Sequence, residues 1–162
     1  MEGLIRKIMV YVDGSEQSIT AAQYAIVLSR TLSAELVSLY VINTRALNDL
    51  VKARIFLQAE QEEYQRDIES DADRYQNHIR ELARKKGLAI ETVKTSGTVH
   101  TEIKKQVAEH DIDLLVLGEL SHIRSRRDEF YNEAERAMRS VSCSVLIVKD
   151  EDRVWDLFEN LI

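Results

Sequence analysis

Five short strand-like runs, most of them apolar and separated by segments with helical periodicity, constrain the fold of this chain more than any other feature. The runs cover residues 7–12, 35–42, 89–95, 114–118 and 144–149, and the second is rich in Leu, Val and Ile at both odd and even positions. A strand that is apolar throughout suits a sheet covered on both faces, as parallel sheets are. Strands that alternate with helices imply right-handed βαβ crossovers. The sequence predicts an α/β fold: a doubly wound, open, five-stranded parallel sheet with helices on both faces.

The segments between the runs carry helix signals. Residues 16–32 place apolar side chains at spacings that form one face, and shorter helices are predicted from Gly97-Thr98 to about residue 110 and over residues 132–140. Residues 44–86 contain neither Gly nor Pro and are predicted to be mostly helical. A straight helix of that length would reach about 65 Å at 1.5 Å per residue, so we expect a break near Asn48 or Gln58. Gly87 is well placed to end this segment.

The length of 162 residues indicates one domain with a self-sufficient core. We expect the α/β domain to span residues 1–150 and a short amphipathic helical tail to span residues 151–162. The tail presents Val154, Trp155 and Phe158 on one face. Because large aromatic side chains are costly to leave in water, we expect the tail to pack on its own subunit, across a dimer or on another protein.

The charge balance argues against nucleic acid as a partner. The chain has 22 Lys and Arg against 28 Asp and Glu, for a net charge of -6. No apolar run approaches the roughly 18 residues that a membrane span needs, and the single Cys143 cannot form an internal disulfide. We therefore expect a cytoplasmic protein with neither a nucleic-acid nor a membrane partner.

Catalytic and metal-binding patterns are not recognisable in the sequence. Ser15 and Ser18 stand at a helix start, where serine usually serves as a cap. The four histidines are scattered without a pair four residues apart or a set at metal-ligand spacing: His78, His100, His110 and His122. The sequence therefore predicts no metal site and no enzymatic activity.

The carboxyl ends of the runs are the predicted place for a ligand. In open parallel sheets, ligands bind outside these ends, where the strand order reverses. Asp13 follows the first run, Val41 lies at the end of the second, and Gly118 ends the fourth. A strand, a glycine, a loop and a helix N-terminus form a frame that suits phosphate, because free N–H groups and the helix dipole converge there.

Several segments, in this order, resemble the universal stress protein family. They are residues 8–18 (IMVYVDGSEQS), the Tyr24-Ala25 helix, residues 37–42, residues 111–118 (DIDLLVLG), and Ala134-Glu135-Arg136 running into residues 144–148. The resemblance covers about residues 5–149. It implies the doubly wound fold above, and a homodimer commonly formed through the last strand. It also implies one branch that binds ATP and another that does not.

The resemblance assigns dimer contacts to the last strand. An apolar edge strand offers unpaired N–H and C=O groups to another strand. We expect such pairing with a second copy of the chain, with the tail packing beside it. The residues expected at this interface are Val145, Leu146, Ile147, Val148, Trp155 and Phe158.

In the ATP-binding branch, the fourth strand is followed by the pattern G-x2-G-x9-G-[ST]. Its positions fall here on Gly118, Ser121, Tyr131 and Asn132, so two of three glycines are missing. Glycine allows backbone N–H groups to approach phosphate closely, whereas Tyr131 puts a ring where phosphate would rest. Glu133 adds a carboxylate to the first turn of the next helix, where the dipole already favours anions.

Other residues at the site leave two interpretations open. Arg124, with its neighbours Arg126 and Arg127, suits either a phosphate clamp or a solvated loop. The resemblance implies that Asp13 hydrogen-bonds the ribose or base of a nucleotide, and that the backbone of Val41 lines the adenine pocket. Asp13-Gly14-Ser15 is equally a capping turn at a helix start.

These observations predict a non-enzymatic stress-response or regulatory module. It would act as a homodimer through protein contacts, with an unidentified protein as a further partner, and bind ATP weakly or not at all, without a cofactor. The alternative is a universal stress protein that binds ATP with Mg, or AMP, through Asp13, Val41 and Gly118. In that case the arginines of the loop would replace the missing glycine contacts.

Overall fold

The computed structural model describes residues 3–44, 58–120 and 133–162. In chain order these ranges contain β1 (Lys7–Val12), α1 (Glu16–Leu32), β2 (Glu35–Asn43), α2 (Gln58–Lys85), β3 (Glu91–Gly97), α3 (Val99–Glu109), β4 (Leu114–Gly118), α4 (Glu133–Ser140), β5 (Ser144–Val148) and α5 (Glu151–Glu159). The strands form one parallel sheet in the order β3-β2-β1-β4-β5.

The predicted fold class is confirmed. The strand order reverses between β1 and β4, so the carboxyl ends of these two strands flank the position where such sheets bind ligands. Strand β3 begins at Glu91 and ends at Gly97, two residues later at each end than predicted. Helix α2 is described from Gln58, and the other expected break, at Asn48, lies outside the described residues.

The sheet separates two apolar cores. Because successive side chains of a strand point to opposite faces, β1 contributes to both of them. One face packs against α1, α2 and α5, and its buried members include Ile8, Val10, Val12, Ala22, Ile26, Ile79 and Phe158. The other face packs against α3 and α4, and its buried members include Met9, Tyr11, Leu39, Val41, Ile103, Leu117 and Ala137.

Helix α5 packs on its own subunit. Val154 is fully buried and Phe158 is 3% exposed, both in the core that α1 shares. The Nζ atom of Lys86 lies 4.8 Å from the centroid of the Phe158 ring, and Arg30 Nη2 donates to the carbonyl of Ile162 at 2.6 Å. The tail is therefore part of the domain, and Phe158, expected at a subunit contact, instead fills the interior of the subunit.

A buried amide fastens α2 to the sheet. The Nε2 atom of Gln76 donates to the carbonyls of Ser38 in β2 and Val93 in β3, both at 3.0 Å. Its Oε1 accepts from the Ser38 hydroxyl at 2.7 Å. Gln76 is 4% exposed, so these bonds form away from water. One side chain thus satisfies its own polar atoms and links a helix to two strands.

Replacement of this amide should destabilise the domain. Gln76→Leu keeps most of the volume but leaves the buried Ser38 hydroxyl without its partner, so we expect a loss of about 2 kcal/mol in the free energy of unfolding. Urea unfolding followed by circular dichroism measures it. His78→Ala, an exposed change on the same helix, is the control. Equal midpoints for the two variants would contradict a structural role for the amide.

Candidate functional site

Asp13 lies at the carboxyl end of β1 and organises the start of α1. Its Oδ1 accepts from the backbone N–H of Ser15 at 2.9 Å and from the Ser15 hydroxyl at 2.5 Å. Ser15 is the N-cap of α1, and its Oγ accepts from the N–H of Ser18. No hydrogen bond from the described residues reaches Asp13 Oδ2, and Asp13 is exposed. The carboxylate therefore caps a turn with one oxygen and offers the other to a ligand.

Gly118 has a packing role that needs no ligand. A Cβ atom added at Gly118 would lie 2.5 Å from the carbonyl oxygen of Gln17 and 2.7 Å from its carbonyl carbon. Both atoms belong to the backbone of α1, which cannot move without shifting the helix. The glycine therefore allows α1 to approach β4, whether or not phosphate is present.

Val41 lies next to Asp13 and is almost fully buried. Val12 pairs with Tyr40, so Val41 is beside Asp13 on the neighbouring strand, and Val41 in turn pairs with Thr95 of β3. The hydroxyl of Thr95 is buried and has no hydrogen-bond partner among the described residues. Asp13, Val41 and Thr95 therefore form a row across three strands. Thr95 was not predicted as a site residue, because an unpaired hydroxyl leaves no pattern in a sequence.

Tyr11 lies below this row, two residues before Asp13 on the same face of β1. It is 9% exposed and belongs to the core under α3 and α4. Burial raises the pKa of the Tyr11 hydroxyl far above its usual value, and the charges of Asp13 and Glu133 add to the effect. The phenol therefore stays neutral and lies within the electrostatic reach of both carboxylates.

Glu133 and His100 join the N-terminal ends of α4 and α3. The Oε2 atom of Glu133 accepts from the backbone N–H of His100 at 2.9 Å and lies 2.5 Å from His100 Nδ1. The Glu133 side chain is 12% exposed. His100 is the second residue of α3, so the carboxylate satisfies a free N–H at the positive end of that helix. From the sequence, Glu133 was predicted only as a carboxylate in the first turn of its own helix, and no role was predicted for His100.

Two aromatic rings close the other side of the crevice. Tyr40 of β2 and Tyr75 of α2 stack with centroids 6.2 Å apart and an interplanar angle of 12°. Gly14 has φ of 85°, and a Cβ atom there would lie 2.5 Å from the Tyr75 ring. Burial raises the pKa of Tyr40, and the charge of Asp13 raises it further. The Tyr75 ring therefore rests directly on the turn that follows β1.

The remaining predicted nucleotide contacts lie outside the described residues. Ser121, Arg124 and Asn132 fall between residues 120 and 133, as does Tyr131. Within the described ranges, no group of three or more His, Cys, Asp or Glu side chains is placed to hold a metal ion. The same ranges contain no helix with the length and apolar character of a membrane span.

The last strand and the tail present a partly apolar surface. Strand β5 lies at the end of the sheet, so one of its edges has no neighbouring strand in the part of the chain that the structure describes. Val145, Leu146 and Ile147 are half-buried, whereas Val148 is almost fully buried. Trp155 is 52% exposed on α5. Of the residues expected at a subunit contact, Val145, Leu146, Ile147 and Trp155 are therefore accessible to a second subunit.

The sheet, its crossovers and the crevice at the strand reversal define a doubly wound α/β protein. Within that class, the chain belongs to the universal stress protein family, whose model matches residues 4–149. The family resemblance read from the motifs is thereby confirmed.

Known relatives agree with this assignment. Universal stress protein MJ0531 of Methanocaldococcus jannaschii is 27% identical over 150 residues, which are 91% of this chain and 84% of the relative. A universal stress protein solved in complex with cAMP has a TM-score of 0.67 at 17% identity, covering 91% of this chain and 99% of that one. A universal stress protein of Archaeoglobus fulgidus in complex with dAMP has a TM-score of 0.62 at 14% identity, covering 91% and 100%. At these identities the two structures show a shared fold.

A substitution at Gly118 tests its packing role. Gly118→Ala forces a Cβ atom against the backbone of Gln17, so we expect the free energy of unfolding to fall by about 1–3 kcal/mol without any ligand present. Thermal unfolding in nucleotide-free buffer measures it. Gly3→Ala is the control, because a Cβ atom there meets only an ordinary contact of 3.6 Å. Unchanged stability of Gly118→Ala would instead favour a role for the glycine in ligand binding alone.

Proposed function

We propose that this protein is a non-enzymatic, cytoplasmic regulatory module of the universal stress protein family. It binds adenine nucleotides weakly and acts as a homodimer through protein contacts. The observation that carries the weak binding is the bond between Glu133 and the start of α3. Glu133 is the first residue of α4, so this bond holds a carboxylate at the helix end where the phosphate of a nucleotide is expected.

Electrostatics supports the same proposal. A phosphate group beside Glu133 would meet a carboxylate that is mostly buried, and Asp13 adds a second carboxylate at the end of β1. Like charges in a site of low polarity repel strongly. In addition, displacing Glu133 would leave the N–H of His100 without its partner, which costs free energy.

A second candidate function is the binding of a nucleoside monophosphate. Relatives with this fold have been solved with cAMP and with dAMP. In this chain, Asp13 keeps one carboxylate oxygen without a bond from the described residues, and Thr95 has a buried hydroxyl without a partner. These two groups suit the hydroxyls and the base edge of a nucleoside. A ligand with one phosphate also brings less negative charge towards Glu133 than ATP does.

Titration with nucleotide tests the proposal. We expect ATP with magnesium to bind with a Kd no tighter than roughly 0.1 mM, equivalent to about -5.5 kcal/mol. Isothermal titration calorimetry of protein purified without added nucleotide gives this value, and AMP is titrated in parallel. Micromolar binding of ATP that Asp13→Ala weakens would favour the nucleotide-binding alternative with ATP as its ligand. Micromolar binding of AMP alone would favour the second candidate.

Opening the entrance should strengthen ATP binding. The double change Tyr131→Gly with Glu133→Val removes the ring predicted to occupy the phosphate position and the carboxylate that bonds His100. We expect at least about a tenfold lower Kd for ATP, or about 1.4 kcal/mol. Tyr131→Gly with Glu135→Val is the matched control, because it removes a carboxylate from the same turn but keeps the His100 bond. Equal affinities for the two variants would contradict a role for Glu133.

The proposed homodimer rests on β5 and the neighbouring helix. An apolar edge strand without a neighbour is a template for another strand, and pairing across a two-fold axis closes it. The half-buried side chains of Val145 and Ile147 supply apolar area on β5. The ring of Trp155, on the helix that follows β5 in the chain, is 52% exposed, and we propose that it adds apolar contact area to the same assembly.

Light scattering coupled to size exclusion at micromolar concentration tests the dimer. We expect the intact chain to elute as a dimer. The Trp155→Ala dimer should dissociate at a higher protein concentration, because the change removes apolar contact area. Ile147→Pro should shift the protein towards monomer or aggregate, because proline cannot donate to a strand ladder. Leu4→Ala, at a fully exposed position far from β5 in the sequence, is the control. A stable monomer for the intact chain would refute the proposed assembly.

A further inference from the structure

We propose that Tyr11 is the residue that excludes a purine ring from the crevice, so that it determines which nucleotides this chain accepts. This inference rests on the proposed function, because it takes the crevice at Asp13 and Val41 as the nucleotide site. It goes beyond that function by assigning the exclusion to one side chain within the core. The entrance at α4 and the ring of Tyr11 are separate obstacles, and separate variants address them.

The register of the sheet puts Tyr11 directly under the candidate site. Tyr11 pairs with Leu39 on β2, and the next residues of the same parity are Asp13 and Val41. Side chains two apart on a strand point to the same face, so the Tyr11 ring lies one step inside the sheet from the Asp13–Val41 pair. A base that contacts the Val41 backbone beside Asp13 would meet this ring first.

The Tyr11 ring lies on the face of the sheet that carries the candidate site. Tyr11 is 9% exposed and packs in the core under α3 and α4, and Asp13 follows it by two residues on the same face. Burial raises the pKa of its hydroxyl most, and the charges of Asp13 and Glu133 raise it further. The ring therefore takes up space on this face directly below the group expected to bind ribose.

Among the described residues, Tyr75 and Tyr40 occupy the other side of Asp13, where a base would need to lie. The Tyr75 ring is so close to Gly14 that even a methyl group on that residue would not fit, and Tyr40 stacks against it. A ring bound beside Asp13 must therefore enter on the face that Tyr11 occupies. Removal of the Tyr11 ring would create a cavity on that face, and apolar cavities of this kind accept flat ligands.

The row above Tyr11 already provides polar groups for such a ligand. Asp13 and Thr95 are separated by two strand spacings, roughly 10 Å, which matches the span of a nucleoside. Asp13 Oδ2 would accept from a ribose hydroxyl. The buried Thr95 hydroxyl, to which no described residue bonds, would bond to the edge of the base. We therefore expect the cavity to accept an adenine nucleotide in preference to a ring without polar edges.

Binding of AMP to Tyr11 variants tests the inference. The variants are Tyr11→Ala, which removes the ring, and Tyr11→Val, which suits a strand and leaves a smaller cavity if the alanine variant fails to fold. Isothermal titration calorimetry with AMP should give a Kd at least about tenfold lower than that of the unmodified chain. Adding Asp13→Ala to either variant should reverse the gain. Circular dichroism confirms that each variant is folded.

Two controls separate the loss of the ring from general loosening of the core. Tyr11→Phe keeps the ring and should bind AMP as weakly as the unmodified chain. Met9→Ala opens a cavity on the same face of β1 but one step deeper, at a fully buried position, and should also leave the affinity unchanged. A gain in Met9→Ala equal to that in Tyr11→Ala, or no gain in a folded Tyr11→Val variant, would overturn the inference.

The outcome for the unmodified chain is read separately. If it binds ATP in the micromolar range, the proposal of weak nucleotide binding fails, whatever the variants do. If it binds weakly and the Tyr11 variants gain nothing, the proposed function stands and the role of Tyr11 fails. A gain for benzene without a gain for AMP in Tyr11→Ala would show a cavity without a nucleotide site, and would also overturn the inference.

Discussion

Burial of β1 on both of its faces is the constraint on which the rest of the structure depends. Every residue from Ile8 to Val12 is almost fully buried, so helices must cover the sheet on both sides. The strand therefore stands in the middle of the sheet, with β2 on one side and β4 on the other, and the strand order reverses beside it. Asp13 therefore lies at the carboxyl end of the sheet, where ligands bind in such folds. The ring of Tyr11 lies on the same face, one step further into the sheet.

The chemistry of this edge is dominated by groups that already satisfy one another. Asp13 fastens the turn into α1, Glu133 satisfies the first turn of α3, and Gly118 makes room for the backbone of α1. Each of these residue types also suits a nucleotide site. Glu133 starts α4, the helix whose N-terminus is expected to face phosphate, so a bound phosphate would lie close to this carboxylate. The proposed weak binding of nucleotides would follow from this charge and from the missing glycines of the loop.

The C-terminal helix shows how one amphipathic segment divides between core and surface. Val154 and Phe158, four residues apart, point inward and complete the core on α1. Lys86 lies over the Phe158 ring and donates to the carbonyl of Leu161, and Arg30 donates to that of Ile162. These two cations therefore bond carbonyl groups that follow the end of the helix, where no further helical N–H is present. Trp155 lies on the outer side of the helix and is 52% exposed. The helix thus stabilises the subunit and leaves one aromatic side chain in solvent.

The sequence by itself determined the elements, their order, the sheet type and the position of Asp13 and Gly118 at the carboxyl ends of strands. These features follow from local signals: apolar periodicity, helix caps and turn residues. The boundaries of β3 were missed by two residues, because its flanking residues have weak preferences. Only the tertiary structure decided that Glu133 bonds His100, that Thr95 lacks a partner, that Gly118 serves the packing of α1, and that Phe158 lies inside the subunit. Each of these depends on contacts between segments distant in the chain, as between residues 33 positions apart, and such contacts leave no periodic trace in a single sequence because they arise only when the chain is folded.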